Sequence, residues 1–321
     1  MLVSCVVVTF NNEDTIENLI ESLFNYIEDF IDEIIIIDNS TNMNTFRVVN
    51  NLNKSKIRII KSDGNIGYRR ALNYGIKSSK NEIVLVINPD AMLMDNTISD
   101  CFLELTKEKV AYCYPDTSDV LNQGVHAGGL SCVPFLISLP VIVDSKENRD
   151  LFISVEIGGG AAFAIRRSAY FETGGLDENI FMYDEEEEIS LKLRKLGYKI
   201  MLYPGSSIYH EGGHSFKSIE NKVPLVYNWL SAKPYLYLKH TKDSVLKKII
   251  WIFFFIFVVI EYSLFYKSTA FLDIPIKNIP QMFKTKSSTL TKTKWKLGTT
   301  FLAFLLTIKR LKNRYGALHY K

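Results

Sequence analysis

The stretch "FMYDEEEEISLKLRKLGY", Phe181 to Tyr198, sets five carboxylates side by side at Asp184 to Glu188. A carboxylate crowded by like charge and turned toward apolar surface tends to hold a proton close to neutral pH, the property of a general base. On a helix the facing of each one can be read. At ~100° per residue, Ile189, Leu193 and Leu196 fall in one narrow stripe, which is the buried one. With Ile189 at zero, Glu185 lies near about −40° and Glu186 near about +60°, both leaning toward that stripe. Asp184, Glu187 and Glu188 lie about −140°, +160° and −100° away, as acids do when they complement a helix N-terminus from the solvent side. Glu188 stands four residues before Lys192, the favourable order for a surface ion pair. This leaves Glu185 and Glu186, because an unpaired carboxylate beside a core is costly unless it meets a cleft, a metal or a cation.

Such a pair needs a scaffold that brings a ligand to it. Four short apolar runs open the chain: "LVSCVVVTF" (2–10), "DEIIIIDNS" (32–40), "KIRIIKSD" (56–63) and "EIVLVINPD" (82–90). Continuous Val and Ile without alternation predict strands buried on both faces of a mainly parallel sheet. "EDTIENLIESLFNYI" carries Ile16, Leu19, Ile20, Leu23 and Ile27 on one stripe, and "GYRRALNYGIKSS" is a shorter helix before the fourth strand. The β-α-β order predicts a doubly wound α/β sheet over roughly the first 100 residues, with ligands just past the carboxyl ends of its strands. Those ends carry "TFNN", "DNS", "SDGNIG" and "NPD". Any one of these is an ordinary turn; four together concentrate Asp and Asn beyond what turns need. Residues 110–157 read as short β-like pieces at a mixed edge of the sheet. "EIGGGAAFAIRRSAYFETGGLDENIF" (156–181) reads as a glycine-rich turn, a buried strand or helix start, and a helix ending at Gly174–Gly175.

The totals place this sheet in a larger molecule. A chain of 321 residues, 47% of them apolar, holds one large domain and an appendage. From residue 231 onward there are 17 Lys and Arg against 3 Asp and Glu, a net of +14, which leaves −11 for residues 1–230. A basic tail interleaved with long apolar runs suits an anionic lipid surface or a lipid-linked anion rather than nucleic acid. Cys5, Cys101, Cys113 and Cys132 show no CxxC spacing, and "MLVSCVVVTF" has no positive leader region, so free thiols and a cytoplasmic catalytic part are expected.

Taken in order, "VVVTFNN", "IIIIDNS", "GNIGYRRALNYG", "VINPDA" and "GGLDENIFMYDEEEEISLKLRKLGYKIMLYPGSSIYHEGGHS" resemble the family 2 glycosyltransferases of GT-A fold. The subgroup they most resemble is the rhamnosyltransferase-like enzymes of bacterial surface polysaccharide assembly, over about residues 3–216. The resemblance implies that Thr9, Asn11 and Asp38 hold the nucleobase and ribose, and that Asn65, Gly67 and Asn73 line the nucleotide pocket. "NPD" stands where many relatives have DxD, which makes Asp90 the implied metal ligand and Asn88 a weaker neutral substitute, with Mg²⁺ or Mn²⁺ offsetting charge on the leaving diphosphate. His210 and Ser215 match an "HxxGxS", His210 being a candidate for metal or diphosphate contact; Gly159, Asp177 and Ser215 are placed on acceptor-side loops. The family's acidic pair falls on Glu185–Glu186, the same two residues the helical wheel selects. The implied reaction is a single inverting displacement with Glu186 as base and Glu185 as the second candidate; relatives usually carry Asp at that position. Arg69 occupies a usually small position and is read as either a diphosphate contact or a surface charge.

The implied partners are a dTDP- or UDP-sugar donor and a lipid-linked glycan acceptor. The expected division is a catalytic domain over 1–230, with a nucleotide-sugar half about 1–110 and an acceptor half about 111–230, followed by a helical membrane-associating region over 231–321. Within it, "IIWIFFFIFVVIEYSLFY" (249–266) and "TTFLAFLLTIKRLKNRYG" (299–316) are read as in-plane helices giving peripheral attachment at the cytoplasmic face of a bacterial inner membrane. The ordinary alternative is a soluble hairpin packed on the catalytic part or on a twin subunit in a homodimer. Two other functions compete. A sugar-nucleotide nucleotidyltransferase would need a Gly-rich, basic loop after the first strand, where "TFNNEDT" has none; a catalytically inactive membrane-bound glycan- or nucleotide-binding protein is compatible with NPD in place of DxD and Glu in place of Asp.

Overall fold

The computed structural model describes residues 1–116, 125–142, 151–211 and 223–265. The four apolar runs form β1 (Val3–Thr9), β2 (Ile31–Asp38), β3 (Ile57–Lys61) and β4 (Ile83–Ile87), all parallel, in the order β3-β2-β1-β4. Three helices make the crossovers: α1 (Ile16–Ile27), α2 (Asn44–Asn51), which has no counterpart among the expected elements, and α3 (Tyr68–Ser78). The alternation of β1 sorts its side chains between two cores. Val3, Cys5 and Val7 pack with Ile16, Leu19, Ile20, Leu23 and Ile27 of α1, whereas Val6 and Val8 pack with Ala71, Leu72 and Ile76 of α3. Helices on opposite faces of one parallel sheet are what the uninterrupted Val and Ile runs require.

Beyond β4 the sheet becomes mixed. β10 (Ala162–Arg166) lies antiparallel between β4 and β6 (Val110–Asp116), and β6 runs parallel to the long β11 (Lys199–His210). β11 is flanked by the short antiparallel β5 (Ala91–Leu93) and β9 (Ile153–Val155). The expected edge over 110–157 is therefore corrected: β6 is an interior strand, buried at all seven positions. Its Pro115 sits beside the break in register between Tyr203 and Ser207 of β11, where a residue lacking an N–H is tolerated. β7 (Val125–Val133) and β8 (Ile137–Ile142) form a separate two-stranded ribbon. The remaining helices are α4 (Ser99–Glu104), α5 (Arg167–Glu172), α6 (Glu185–Lys195), α7 (Val223–His240) and α8 (Val245–Phe265).

The chain divides into two compact units, Met1–Gly129 with Pro140–Ala232, and Leu130–Leu139 with the chain from Lys233 onward. In the second unit Tyr237 stacks on Trp251 at 4.5 Å between ring centroids, Trp251 on Phe255 at 5.1 Å, and the Trp251 indole N–H donates to the Pro134 carbonyl at 3.0 Å. The opposite face of α8 exposes Leu246, Ile249, Phe253, Phe257, Ile260 and Leu264 at helical spacing. By length and composition this 21-residue helix is long and apolar enough to cross a membrane. The 299–316 segment lies outside the described residues.

Candidate active site

The polar strand ends gather at one edge of the sheet and brace one another. Asn11 has a left-handed backbone (φ 56°), and its N–H donates to Ser40 Oγ at 2.8 Å. Asn39 donates its amide to the Gly67 carbonyl at 3.3 Å, and Ser62 Oγ donates to Asn39 Oδ1 at 2.9 Å. Asn65 Oδ1 caps the Gly67 N–H at 3.1 Å, and Gly67 adopts φ +87° with Phe181 packed so closely that a Cβ there would lie 2.8 Å from its carbonyl oxygen. Only glycine fits both constraints.

Thr9 and Asp38 are fully buried, and the carboxylate of Asp38 is engaged within the protein. Its Oδ1 accepts from Thr9 Oγ1 at 3.1 Å and from the Ser40 N–H at 3.0 Å; its Oδ2 pairs with Lys61 Nζ at 2.9 Å. Lys61 also donates to the carbonyls of Ser40 and Asn42, closing the loop after β2. Asn73, expected in the nucleotide pocket, grips the loop after α5: its amide donates to the Leu176 carbonyl and to Glu178, both at 2.9 Å, and its carbonyl oxygen accepts from the Leu176 N–H at 3.0 Å. It also lines a cleft of about 440 Å³ with Lys61, Arg70, Tyr74 and Glu178.

A line of contacts then runs from the end of β11 to the acidic helix. His210 Nε2 lies 3.3 Å from Asp90 Oδ1 and 3.4 Å from the Asn88 amide nitrogen, brought there by the pairing of His210 with Ala91 across β11 and β5. The Asn88 N–H donates to the Ala161 carbonyl at 2.8 Å. On the far side of Ala161, Gly160 leaves room for the Glu186 carboxylate, which lies 3.3 Å from where a Cβ would stand. The Gly159 carbonyl accepts from Tyr112 OH, a phenol that burial and then the Glu186 carboxylate push well above its ordinary range. Tyr68 is raised in the same way, by burial first and then by Glu185, Glu186 and Asp90 together.

The separation of 3.3 Å between Asp90 Oδ1 and His210 Nε2 is near the roughly 3 Å edge of an octahedron with ligand distances of ~2.0–2.1 Å. No group of three or more His, Cys, Asp or Glu side chains is gathered for a metal among the described residues. One carboxylate oxygen and one imidazole therefore fit a cation that takes its other ligands from substrate oxygens and water, as small hard divalent ions do. Ser215 lies outside the described residues. Asp177 is buried, and its carboxylate accepts from the N–H and amide of Asn179 at 3.0 and 2.9 Å, shaping its own turn.

Three expectations at the acidic helix are corrected, for Glu188 and Leu196 on it and for Arg69 packed against it. Glu188, expected on the solvent side, is fully buried: its Oε2 pairs with Arg69 Nη1 and its Oε1 with Lys192 Nζ at 2.7 Å. Arg69, expected in contact with diphosphate or solvent, is fully buried in that pair. Leu196, expected in the apolar stripe, caps the helix and is exposed, while Ser190 is buried and its hydroxyl accepts from the Gly158 N–H at 3.0 Å. The reason is one of tertiary packing. α3 brings a guanidinium to the side of α6 that an isolated wheel assigns to water, so the helix has a polar buried face next to its apolar one. Glu185 and Glu186 both remain partly exposed. Burial pushes the Glu185 carboxyl up to about 8, opposed by Arg69 and reinforced by Glu186.

The fold is that of the GT-A glycosyltransferases. GalNAc-T7, solved with UDP, GalNAc and Mn²⁺, matches with a TM-score of 0.58 at 19% identity, over 75% of this chain and 51% of that one. In sequence, the chain is 25% identical over 187 residues to N-acetylglucosaminyl-diphospho-decaprenol L-rhamnosyltransferase of Mycobacterium tuberculosis, covering 50% of this chain and 60% of that one. It is 30% identical over 113 residues to the Escherichia coli UDP-Glc:alpha-D-GlcNAc-diphosphoundecaprenol beta-1,3-glucosyltransferase WfaP, covering 35% of this chain and 45% of that one. The chain thus spans less than two thirds of the length of either relative. The model of the family described as glycosyl transferase family 2 matches residues 4–173, just over half of the chain, and the chain belongs to that family.

Proposed function

We propose that the protein is an inverting glycosyltransferase that moves a sugar from a nucleoside diphosphate donor to a lipid-linked glycan, assisted by Mg²⁺ or Mn²⁺. The observation that carries this reading is the unbroken line of contacts from His210 and Asp90, through Asn88, Ala161 and Gly160, to Glu186. A carboxylate–imidazole pair able to hold a cation on a diphosphate and a carboxylate able to take a proton stand at the same edge of the sheet. Asp90 and His210 would hold the cation, which when bound offsets the charge that builds on the departing diphosphate.

Glu186 takes the proton from an acceptor hydroxyl, whose oxygen forms a bond to the anomeric carbon as the bond from that carbon to the diphosphate oxygen breaks, with inversion. Burial and the neighbouring Glu186 raise the Glu185 carboxyl to about 8, which disfavours a second charge beside the base. The loops around Asn11, Asn39 and Asn65 offer backbone and amide groups to the nucleoside. Support for a lipid-linked acceptor comes from the names of the mycobacterial and Escherichia coli relatives, and rhamnose is suggested by the first of them. The exposed apolar stripe of α8 and the +14 charge from residue 231 onward suit attachment to an anionic bilayer at its cytoplasmic face.

The test is transfer or hydrolysis from a panel of dTDP-, UDP- and GDP-sugars with and without Mn²⁺, using the full chain in detergent. Turnover that needs a divalent ion and is lost in Glu186→Gln supports the reading. No turnover with any donor, alongside nucleotide-induced thermal stabilisation, would favour the inactive binding protein instead.

A further inference from the structure

Among the described residues, the buried guanidinium of Arg69 is the one cation that touches both the acidic helix and the kink that leads into it. Arg69 is the second residue of α3 and is fully buried. Its Nη2 donates to the Tyr183 carbonyl at 2.6 Å, its Nη1 pairs with Glu188, and its Nε lies 3.5 Å from Glu185 Oε1. Tyr183 and Asp184 both have left-handed backbones, at φ 79° and 58°. Such residues are disfavoured by about 1–2 kcal/mol each unless their surroundings hold them. Lys192 takes the other oxygen of Glu188 and also reaches the Gly175 carbonyl, so the far side of the cluster is anchored separately.

Resting on the glycosyltransferase reading, we infer that Arg69 is a positioning residue: it clamps α6 to α3 so that Glu186 is presented beside Gly160, and it sets the proton equilibrium of the adjacent carboxyl. The fork of a guanidinium donates to the Glu188 carboxylate and the Tyr183 carbonyl at once while its Nε sets charge beside Glu185, which a lysine ammonium does not do in fixed geometry. The groups that face Glu185 are Arg69 and Tyr68 from α3, Tyr183 and Asp184 from the approach to α6, and Glu186 on its own helix. Among the described residues Arg69 is the sole cation in this group. Without it the ionised form of Glu185 loses its nearby opposite charge while burial and the neighbouring acids still oppose it.

The experiment is a carboxyl titration by NMR on glutamate-labelled protein, comparing the wild type, Arg69→Lys and Arg69→Met, with Glu185→Gln to assign the signal. The titration of Glu185 is expected to move up by about one pH unit or more in Arg69→Met and by less in Arg69→Lys. In turnover, kcat should fall at least ~10-fold with the donor KM within about 3-fold, because a displaced base affects the chemical step rather than donor binding. Arg69→Lys keeps the charge, so it serves where Arg69→Met does not fold: it should hold the titration close to wild type while losing kcat. An unmoved titration in Arg69→Met, or in Arg69→Lys a kcat equal to that of wild type, overturns the inference. If the titration moves as stated but no donor is turned over by the wild type, the positioning of the carboxylates stands and glycosyl transfer fails. Wild-type turnover with an unmoved titration in Arg69→Met keeps glycosyl transfer and removes the role of Arg69.

Discussion

Asp90 and His210 are 120 positions apart, yet Asp90 Oδ1 lies 3.3 Å from His210 Nε2. The contact exists because β5 and β11 pair antiparallel with His210 opposite Ala91, and it is reinforced by the Glu211 N–H donating to the Asp90 carbonyl at 3.1 Å. Each of the two side chains should therefore be replaceable without loss of the fold. Asp90→Asn and His210→Ala are expected to keep their far-UV spectra while losing the extra thermal stabilisation that Mn²⁺ confers in the presence of UDP. Turnover in either should fall by roughly 10²-fold or more, the scale of losing a centre that offsets transition-state charge. A wild-type response to Mn²⁺ in both variants would remove these residues from the cation site.

The pH dependence of stability has a defined sign. Burial raises the Glu185 carboxyl from its ordinary 4.5 to about 8. A carboxyl raised on folding favours the native state fully below about pH 4.5, and that contribution is lost as pH rises through about 8. Urea unfolding across this window should show native stability falling with pH, by up to roughly 5 kcal/mol from this group. Glu185→Gln, neutral throughout, should flatten the slope and raise stability at the alkaline end. An unchanged slope would assign the effect to another group.

Glu186→Gln should behave differently. Its carboxylate stands beside Gly160 rather than under the guanidinium. Stability should change little, and kcat should fall by roughly 10²-fold or more, the usual scale for removing a general base. Gly160→Ala adds a methyl 3.3 Å from that carboxylate and should lower kcat with nucleotide binding retained. Equal losses in nucleotide affinity and kcat would show instead that the loop had collapsed.

Lys61 supplies the charge partner of the fully buried Asp38. Lys61→Met leaves that carboxylate with neutral donors only, and is expected to destabilise the protein by about 3 kcal/mol, the scale for breaking a buried pair by removing one partner. Asp38→Asn in the same chain should restore part of this loss. Denaturant midpoints of the single and double variants measure the coupling directly.

The apolar stripe of α8 should bind lipid. Full-length protein is expected to sediment with vesicles containing anionic lipid and less with neutral ones, and Phe253→Ser with Phe257→Ser should release it while leaving the Trp251 stack intact. Vesicle binding unaffected by the double substitution would place the lipid contact elsewhere in the chain.

Much of this molecule is written in local pattern. The strands β1 to β4, the stripe of α1 and the polar strand ends follow from side-chain period and residue type, because burial on two faces demands continuous Val and Ile and a helix repeats every 3.6 residues. The sequence also carries the charge division at residue 231. What it does not carry is the partner of each buried charge. Glu188 looks solvated and Arg69 looks like a diphosphate contact or a surface charge until α3 and α6 bring the two residues, 119 positions apart, together, and only then do a guanidinium and a carboxylate neutralise one another out of water. The same is true of Lys61 with Asp38. Period and composition reflect the surface against which an element packs as an average, whereas an ion pair depends on which two residues end up within a few ångströms, and that is decided by strand order and register.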